Sequence, residues 1–210
     1  CQAFSYAGKK MGFNDTRGTL FYEFARAVKI IKPKICIAEN VRGLVSHDGG
    51  ETLKTIINVM EKDIGYEVIS PEICQSIFYE VPQKRERLFL IGIKKGSNLK
   101  FNYPEKVSEA YTVRDALKKG RLFKTNVPHS EFQKYTERKQ QIMRRVPPGG
   151  NWRDLPEKMQ KEYMRGSLHL GGGKTGIARR LSWDEPSLTL TTAPAMKQTE
   201  RAHPVENRPL

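Results

Sequence analysis

Between residues 20 and 93 the apolar residues repeatedly change period, and this constrains the fold more than any other feature of the chain. Leu20, Phe21, Phe24, Ala27, Val28 and Ile31 recur at helical spacing, and Pro33 ends that run. Ile35-Cys36-Ile37-Ala38 follows as a short continuous apolar stretch of the kind found in a buried parallel strand. Leu53, Ile56, Ile57 and Met60 predict a second amphipathic helix, closing near Gly65. Tyr66 to Ser70 and Leu88 to Ile93 predict further strands. Helix and strand alternate, so residues 1–97 are predicted to form an α/β layer of the doubly wound type.

From residue 98 the texture changes. Pro147-Pro148-Gly149-Gly150 and Gly171-Gly172-Gly173 break the chain, and the apolar period fades. Residues 114–145 carry ten Lys or Arg against three Asp or Glu. Residues 98–210 are therefore expected to form a second, smaller, loop-rich domain. The whole chain has 37 Lys plus Arg against 23 Asp plus Glu, a formal charge of +14. A solvated basic face is the ordinary explanation of one such cluster. An excess this large points instead to a polyanionic partner, because neutralised phosphates release counterions and steer association.

The three cysteines, Cys1, Cys36 and Cys74, have no metal-ligand spacing and leave one over if two bridge. Reduced thiols and no metal site are expected. No stretch approaches the ~20 apolar residues of a membrane span, and no signal-peptide pattern is present.

Four short segments carry the chemistry. Cys1-Gln2-Ala3-Phe4-Ser5 opens the chain. Gly8, Gly12 and Gly18, with Lys9, Lys10 and Arg17, then form a basic, glycine-rich stretch suited to closing over a phosphate backbone. It leads into Asp15-Thr16-Arg17-Gly18-Thr19-Leu20. Glu39-Asn40-Val41 follows the strand at 35–38, and sites in open α/β sheets lie beyond the carboxyl ends of strands. Gln83-Lys84-Arg85-Glu86-Arg87 precedes the strand at 88–93. Alternation there puts Gln83, Arg85 and Arg87 on one face and Lys84 and Glu86 on the other. Each segment alone has an ordinary reading, as a buried small hydrophobe, a surface glutamate or a charged strand edge.

Taken in order, the four segments resemble the motifs of the bacterial-type DNA (cytosine-5) methyltransferases. The resemblance runs nearly continuously over residues 1–95 and resumes from Pro186 to Leu210. There Thr189-Leu190 is similar to the Thr-Leu of the family's recognition domain, and Arg208-Pro209-Leu210 to the start of its next motif. It implies the later part of a Rossmann-like methyltransferase sheet, followed by a target recognition domain. It also implies a mechanism. The thiolate of Cys1 adds to C6 of a flipped-out cytosine, and Glu39 steadies the ring at N3 and the exocyclic amine. Arg87 and Arg85 hold the base, and C5 takes a methyl group from S-adenosylmethionine. Leu20 is the cofactor contact that carries over. Gln2, Ser5, Lys9, Lys10, Arg17, Gln83 and Thr189 are the expected DNA contacts. The implied setting is a restriction-modification system in a bacterial cytoplasm.

The family's Phe-x-Gly-x-Gly segment, its ribose-binding acid and its closing segment have no match here. The cofactor site is therefore expected to be incomplete in this chain, and a separate N-terminal portion or subunit is an expected partner. Two other readings are a non-catalytic DNA-binding module and a methyltransferase acting on transfer RNA.

Overall fold

The computed structural model describes residues 20–128, 131, 133–169, 176–193, 195–196 and 199–210. The chain divides into two compact units. The first holds the described residues up to Tyr79 together with Glu86–Lys106, and the second holds Glu80–Arg85 with Val107–Leu210.

The first unit is a three-stranded sheet with two helices. Helix α1 spans Leu20–Ile31, β1 Ile35–Val41, α2 Glu51–Asn58, β2 Tyr66–Gln75 and β4 Glu86–Lys94. The helical period of residues 20–31 becomes α1, and its Ala25 and Val28 are buried. The chain then turns through Lys32, at φ 52°, just before Pro33. α2 continues into a single π-turn at Val59–Asp63, which brings Met60 into the core. Gly65, at φ 77°, supplies the left-handed turn into β2.

The strand order is β1-β4-β2, and β4 is antiparallel to both neighbours. The expectation that Ile35–Ala38 lies in a parallel pairing is thus corrected. Its partner is β4, in the register Cys36↔Gly92 and Ala38↔Leu90. Within this sheet the parallel sense exists only between the outer strands, β1 and β2. β1 and β2 are joined by the α2 crossover, and β4 is later inserted between them. The run is not wholly buried either, because Cys36 is enclosed while Ile35 and Ile37 are exposed. A continuous apolar run hides such one-sided burial, which only the pairing register reveals.

One face of β4 explains the core. Leu88 and Leu90 pack with Leu44 and Ile56, and Phe21, Leu53 and Ile73 close around them. A second cluster joins Val28, Cys36, Met60 and Tyr66. Gly92 lies where Cys36 of β1, Tyr66 of β2 and Met60 crowd against β4. A β-carbon there would stand 2.7 Å from Cys36 Sγ and 2.8 Å from Met60 Cε. The Tyr66 hydroxyl donates to the Pro33 carbonyl at 2.6 Å, tying the start of β2 to the turn after α1.

The second unit has little regular structure. It contains β3 (Gln83–Lys84), α3 (Val113–Leu117), α4 (Glu137–Met143), α5 (Glu157–Met164) and β5 (Ser187–Leu188). β3 and β5 pair in parallel. Its core is Tyr135, Ile142, Met143, Val146, Trp152, Leu155, Met164, Ile177, Ala178 and Ala202. The short helices rely on caps. Thr112 and Asp115 form a reciprocal capping box on α3, and Thr136 accepts from the Lys139 amide on α4.

Buried charge replaces sheet as the organiser. Arg180 is 3% exposed and donates to the carbonyls of Met143, Val146, His203 and Glu206 and to the Asn207 side chain. It thereby caps the carbonyls of Met143, the last residue of α4, and of Val146 just beyond it. Glu200, fully enclosed, takes the Lys139 ammonium at 2.6 Å, and Lys139 also meets the Tyr163 hydroxyl. Among the described residues, three of the ten cations in the run at 114–145 form ion pairs: Lys139 with Glu200 in the interior, and Arg114 with Asp184 and Arg121 with Glu109 at the surface.

Among the described residues no helix is long and apolar enough to cross a membrane. Among them, no group of three or more His, Cys, Asp or Glu could hold a metal ion.

Candidate active site

The strand register builds the site. Glu39 stands opposite Phe89 and Val41 opposite Arg87, so Glu39 and Arg87 are diagonal neighbours on one face of the β1–β4 pair. Diagonal partners lie about 7–8 Å apart, within reach of long side chains. The Arg87 Nε meets Glu39 Oε1 at 2.7 Å, and Arg87 Nη1 donates to the Glu86 carbonyl at 2.7 Å. Two anchors thus aim the guanidinium. The Arg87 side chain is 21% exposed and that of Glu39 41%, so the pair is open to a ligand without being fully solvated.

Glu39 also lines a cavity of about 220 Å³ with Leu20, Phe21, Phe24, Ile37, Ala38, Asn40, Leu44, Ile56 and Leu90. Leu20, at the start of α1, and Ile37, on β1, are each 57% exposed. The cavity therefore has an apolar wall and a carboxylate at its rim. Asn40 holds the strand end in shape, its Oδ1 accepting from the Val41 amide at 2.8 Å. Phe21 and Ile37 were not singled out from the sequence as site residues. Their only signal was membership of apolar runs, which read as core.

The structure brings Glu39 and Leu20 to one cavity and sets Arg87 against Glu39. It splits the segment Gln83–Arg87 between the units, with Gln83, Lys84 and Arg85 in the second and Glu86 and Arg87 in the first. Gln83 pairs with Ser187, and Lys84 forms an ion pair with Glu185 at 3.0 Å. Glu86 takes Arg42 and the Gln75 amide. The Thr189 hydroxyl donates to the Lys84 carbonyl at 2.8 Å, fastening the chain beyond β5 to β3. Cys1, Gln2, Ser5, Lys9, Lys10 and Arg17 lie outside the described residues.

The chain holds two other thiols. Cys36 is buried beside Gly92, donates to its carbonyl at 3.6 Å, and has its pKa raised by that burial. A thiol pushed toward its neutral form against Met60 and Tyr66 is a packing group. Cys74 is half-buried on β2.

Known proteins resemble this chain along its whole length. Type II methyltransferase M.Eco47II of Escherichia coli is 61% identical over 212 residues. The match takes in 100% of this chain and 51% of that protein. Type II methyltransferase M.PspPI of Psychrobacter sp. is 58% identical over 212 residues, again 100% of this chain and 51% of the relative. The chain thus spans about half the length of these curated relatives. Among solved structures, the Entamoeba histolytica methyltransferase EhMeth superposes with a TM-score of 0.52 at 15% identity. That match covers 100% of this chain and 54% of EhMeth, a likeness of fold alone. The family profile described as C-5 cytosine-specific DNA methylase matches residues 1–210, and the chain belongs to that family.

Proposed function

We propose that this chain is the part of a DNA methyltransferase that runs from the nucleophile to target recognition, acting on C5 of cytosine in duplex DNA. The observation that carries the reading is the Glu39–Arg87 pair at the rim of a cavity walled by Leu20. A cytosine ring needs both groups. Nucleophilic addition at C6 places negative charge on the ring, and a carboxyl group at N3 and the exocyclic amine offsets it. A guanidinium held by two acceptors presents its remaining N–H groups to the ring carbonyl at little further entropic cost.

Cys1 is the attacking thiolate in this reading. Its sulfur bonds to C6, C5 gains a methyl group and loses its proton, and the sulfur then leaves with the electron pair of the C6–S bond. The target base must first leave the stack, at a cost of roughly a few kcal/mol. Gln2 and Ser5 act beside the vacated base. Lys9, Lys10 and Arg17 contact phosphates, which position the enzyme without carrying sequence information. Arg85 assists Arg87. Gln83 and Thr189 are the DNA contacts of the second unit, which serves as the recognition domain in a bacterial cytoplasm.

S-adenosylmethionine supplies an electrophilic methyl group. The residues present fit one side of it. Exposed Leu20 and Ile37 and half-buried Phe21 and Phe24 offer an apolar wall, and Glu39 and Asn40 add polar groups at its edge. This chain's own contribution is to seat the cofactor against that wall and to hold the cytosine beside it.

The test is methyl transfer from labelled S-adenosylmethionine by the intact protein, given a duplex DNA pool and a transfer RNA pool side by side. Label in duplex DNA at C5 of cytosine is the expected result. Label only in transfer RNA, or salt-dependent duplex binding without any transfer, would replace this reading with one of the two others.

A further inference from the structure

In the second unit the segments at 179–181 and 200–202 run side by side. Arg180 and Ala202 form a parallel bridge. The Ala202 amide donates to the Arg179 carbonyl at 3.0 Å, and the Leu181 amide donates to the Ala202 carbonyl at 3.0 Å. Side chains alternate along extended backbone, and neighbouring strands lie about 4.8 Å apart. Arg180 and Ala202 both point into the core, with 3% and 0% exposure. The residues one step earlier, Arg179 and Arg201, therefore stand beside each other on the opposite face.

Among the described residues no carboxylate compensates these two cations. Arg179 makes no side-chain hydrogen bond or ion pair among the described residues. Arg201 donates through Nη1 to the Glu200 carbonyl at 2.7 Å, while its Nε is buried without an acceptor. The Glu200 carboxylate, one residue away, is turned inward to Lys139. Burial lowers the pKa of both arginines, and the charge of Arg179 lowers that of Arg201 further. Residues 170–175, just upstream, contain no Asp or Glu. Arg180 in contrast is fully occupied by carbonyls, so its neighbours are the ones left to act outward.

We propose that Arg179 and Arg201 form a paired clamp for one backbone phosphate of duplex DNA, resting on the methyltransferase reading above. A neutral guanine edge accepts hydrogen bonds but leaves two like charges side by side. A phosphate monoanion set against the accessible N–H groups of the two half-buried guanidinium groups removes the repulsion. The clamp is a positioning site, and it carries no base information.

Binding of the intact protein to a target duplex and a scrambled duplex, measured by anisotropy over a range of KCl concentrations, tests this. The variants are Arg179→Gln, Arg201→Gln and their double. In the double variant the slope of log K against log [KCl] becomes shallower by about 0.9, the value for one phosphate. The change is the same on both duplexes. Melting temperatures of the variants equal or exceed wild type, because a repulsion has been relieved. If Arg201→Gln does not fold, Arg179→Gln alone carries the test, since its side chain makes no bond that holds the fold. An unchanged slope, a loss confined to the target duplex, or a lowered melting temperature with the slope intact would each overturn the clamp. Wild-type protein that binds no duplex at all would overturn the parent reading and the clamp with it.

Discussion

Substituting Lys139 by Met separates the roles of charge and packing in the second unit. Glu200 is wholly enclosed, its partner ammonium sits at 2.6 Å, and burial raises its pKa despite that partner. Once Lys139 is lost, the carboxylate cannot remain charged without a counterion. It escapes by taking a proton, which costs about 1.4 kcal/mol for each pH unit above the ordinary Glu value of about 4.5. At pH 7 the penalty is therefore on the order of 3 kcal/mol, and at pH 5 below about 1 kcal/mol. The sign follows from linkage. A carboxyl group with a raised folded pKa contributes stability at low pH that is lost as pH rises through that value. The variant should therefore regain stability relative to wild type as pH falls from 7 to 5. At pH 7 the loss corresponds to a melting temperature lower by roughly 10–20 °C for a unit of this size. Denaturant unfolding of wild type, Lys139→Met, Glu200→Leu and the double variant closes the cycle. Because the pair is costly to bury, the double variant should lie within about 1 kcal/mol of wild type. Additive single effects, or a Lys139→Met penalty that does not shrink at pH 5, would refute the reasoning.

Three further outcomes follow from the same structure. Gly92→Ala should destabilise the first unit by about 1–3 kcal/mol through overpacking, and Cys36→Ala in the same background should recover part of that. Denaturant titration reads both. His203 is buried against Trp183, its Nδ1 accepts the Val205 and Glu206 amides, and its pKa falls to about 4, chiefly through burial. The folded imidazole stays neutral while the unfolded one protonates below about 6.5. Stability should therefore fall as pH drops from about 6.5 to about 4, by up to about 3 kcal/mol, partly offset by Glu200. His203→Gln should flatten that part of a melting-temperature profile. Arg180→Met should unfold the second unit outright, because several buried carbonyls lose their donor, and circular dichroism would show it.

The elements were legible where periodicity was strong. The α1 pattern, its stop at Pro33, the second helix closing at Gly65 and the strands at 66–70 and 88–93 all appear where the apolar spacing placed them. The strand pairing was not legible, because β4 follows β2 after a short connection yet inserts between β1 and β2, and apolar spacing carries no strand order. A run such as Ile35–Ala38 reads the same in either sense. Glu39 could be named from its motif, but its contact with Arg87 required the register between β1 and β4. Arg179 and Arg201 went unnoticed for a similar reason. Twenty-two residues separate them, and only one bridge brings them together. The second unit was legible only as loop-rich and basic. Its order comes from buried Arg180 and Glu200, and isolated charged residues carry no period.

Covalent trapping tests the central claim most directly. The intact protein is incubated with S-adenosylmethionine and a duplex carrying 5-fluorocytosine at the target position, and the protein–DNA adduct is measured. A stable adduct is predicted for wild type and none for Cys1→Ser. Glu39→Gln should form it about 10²–10³-fold more slowly, the usual cost of losing one preorganised charge-stabilising group. An adduct that forms with Cys1→Ser, or at an undiminished rate with Glu39→Gln, would contradict the account.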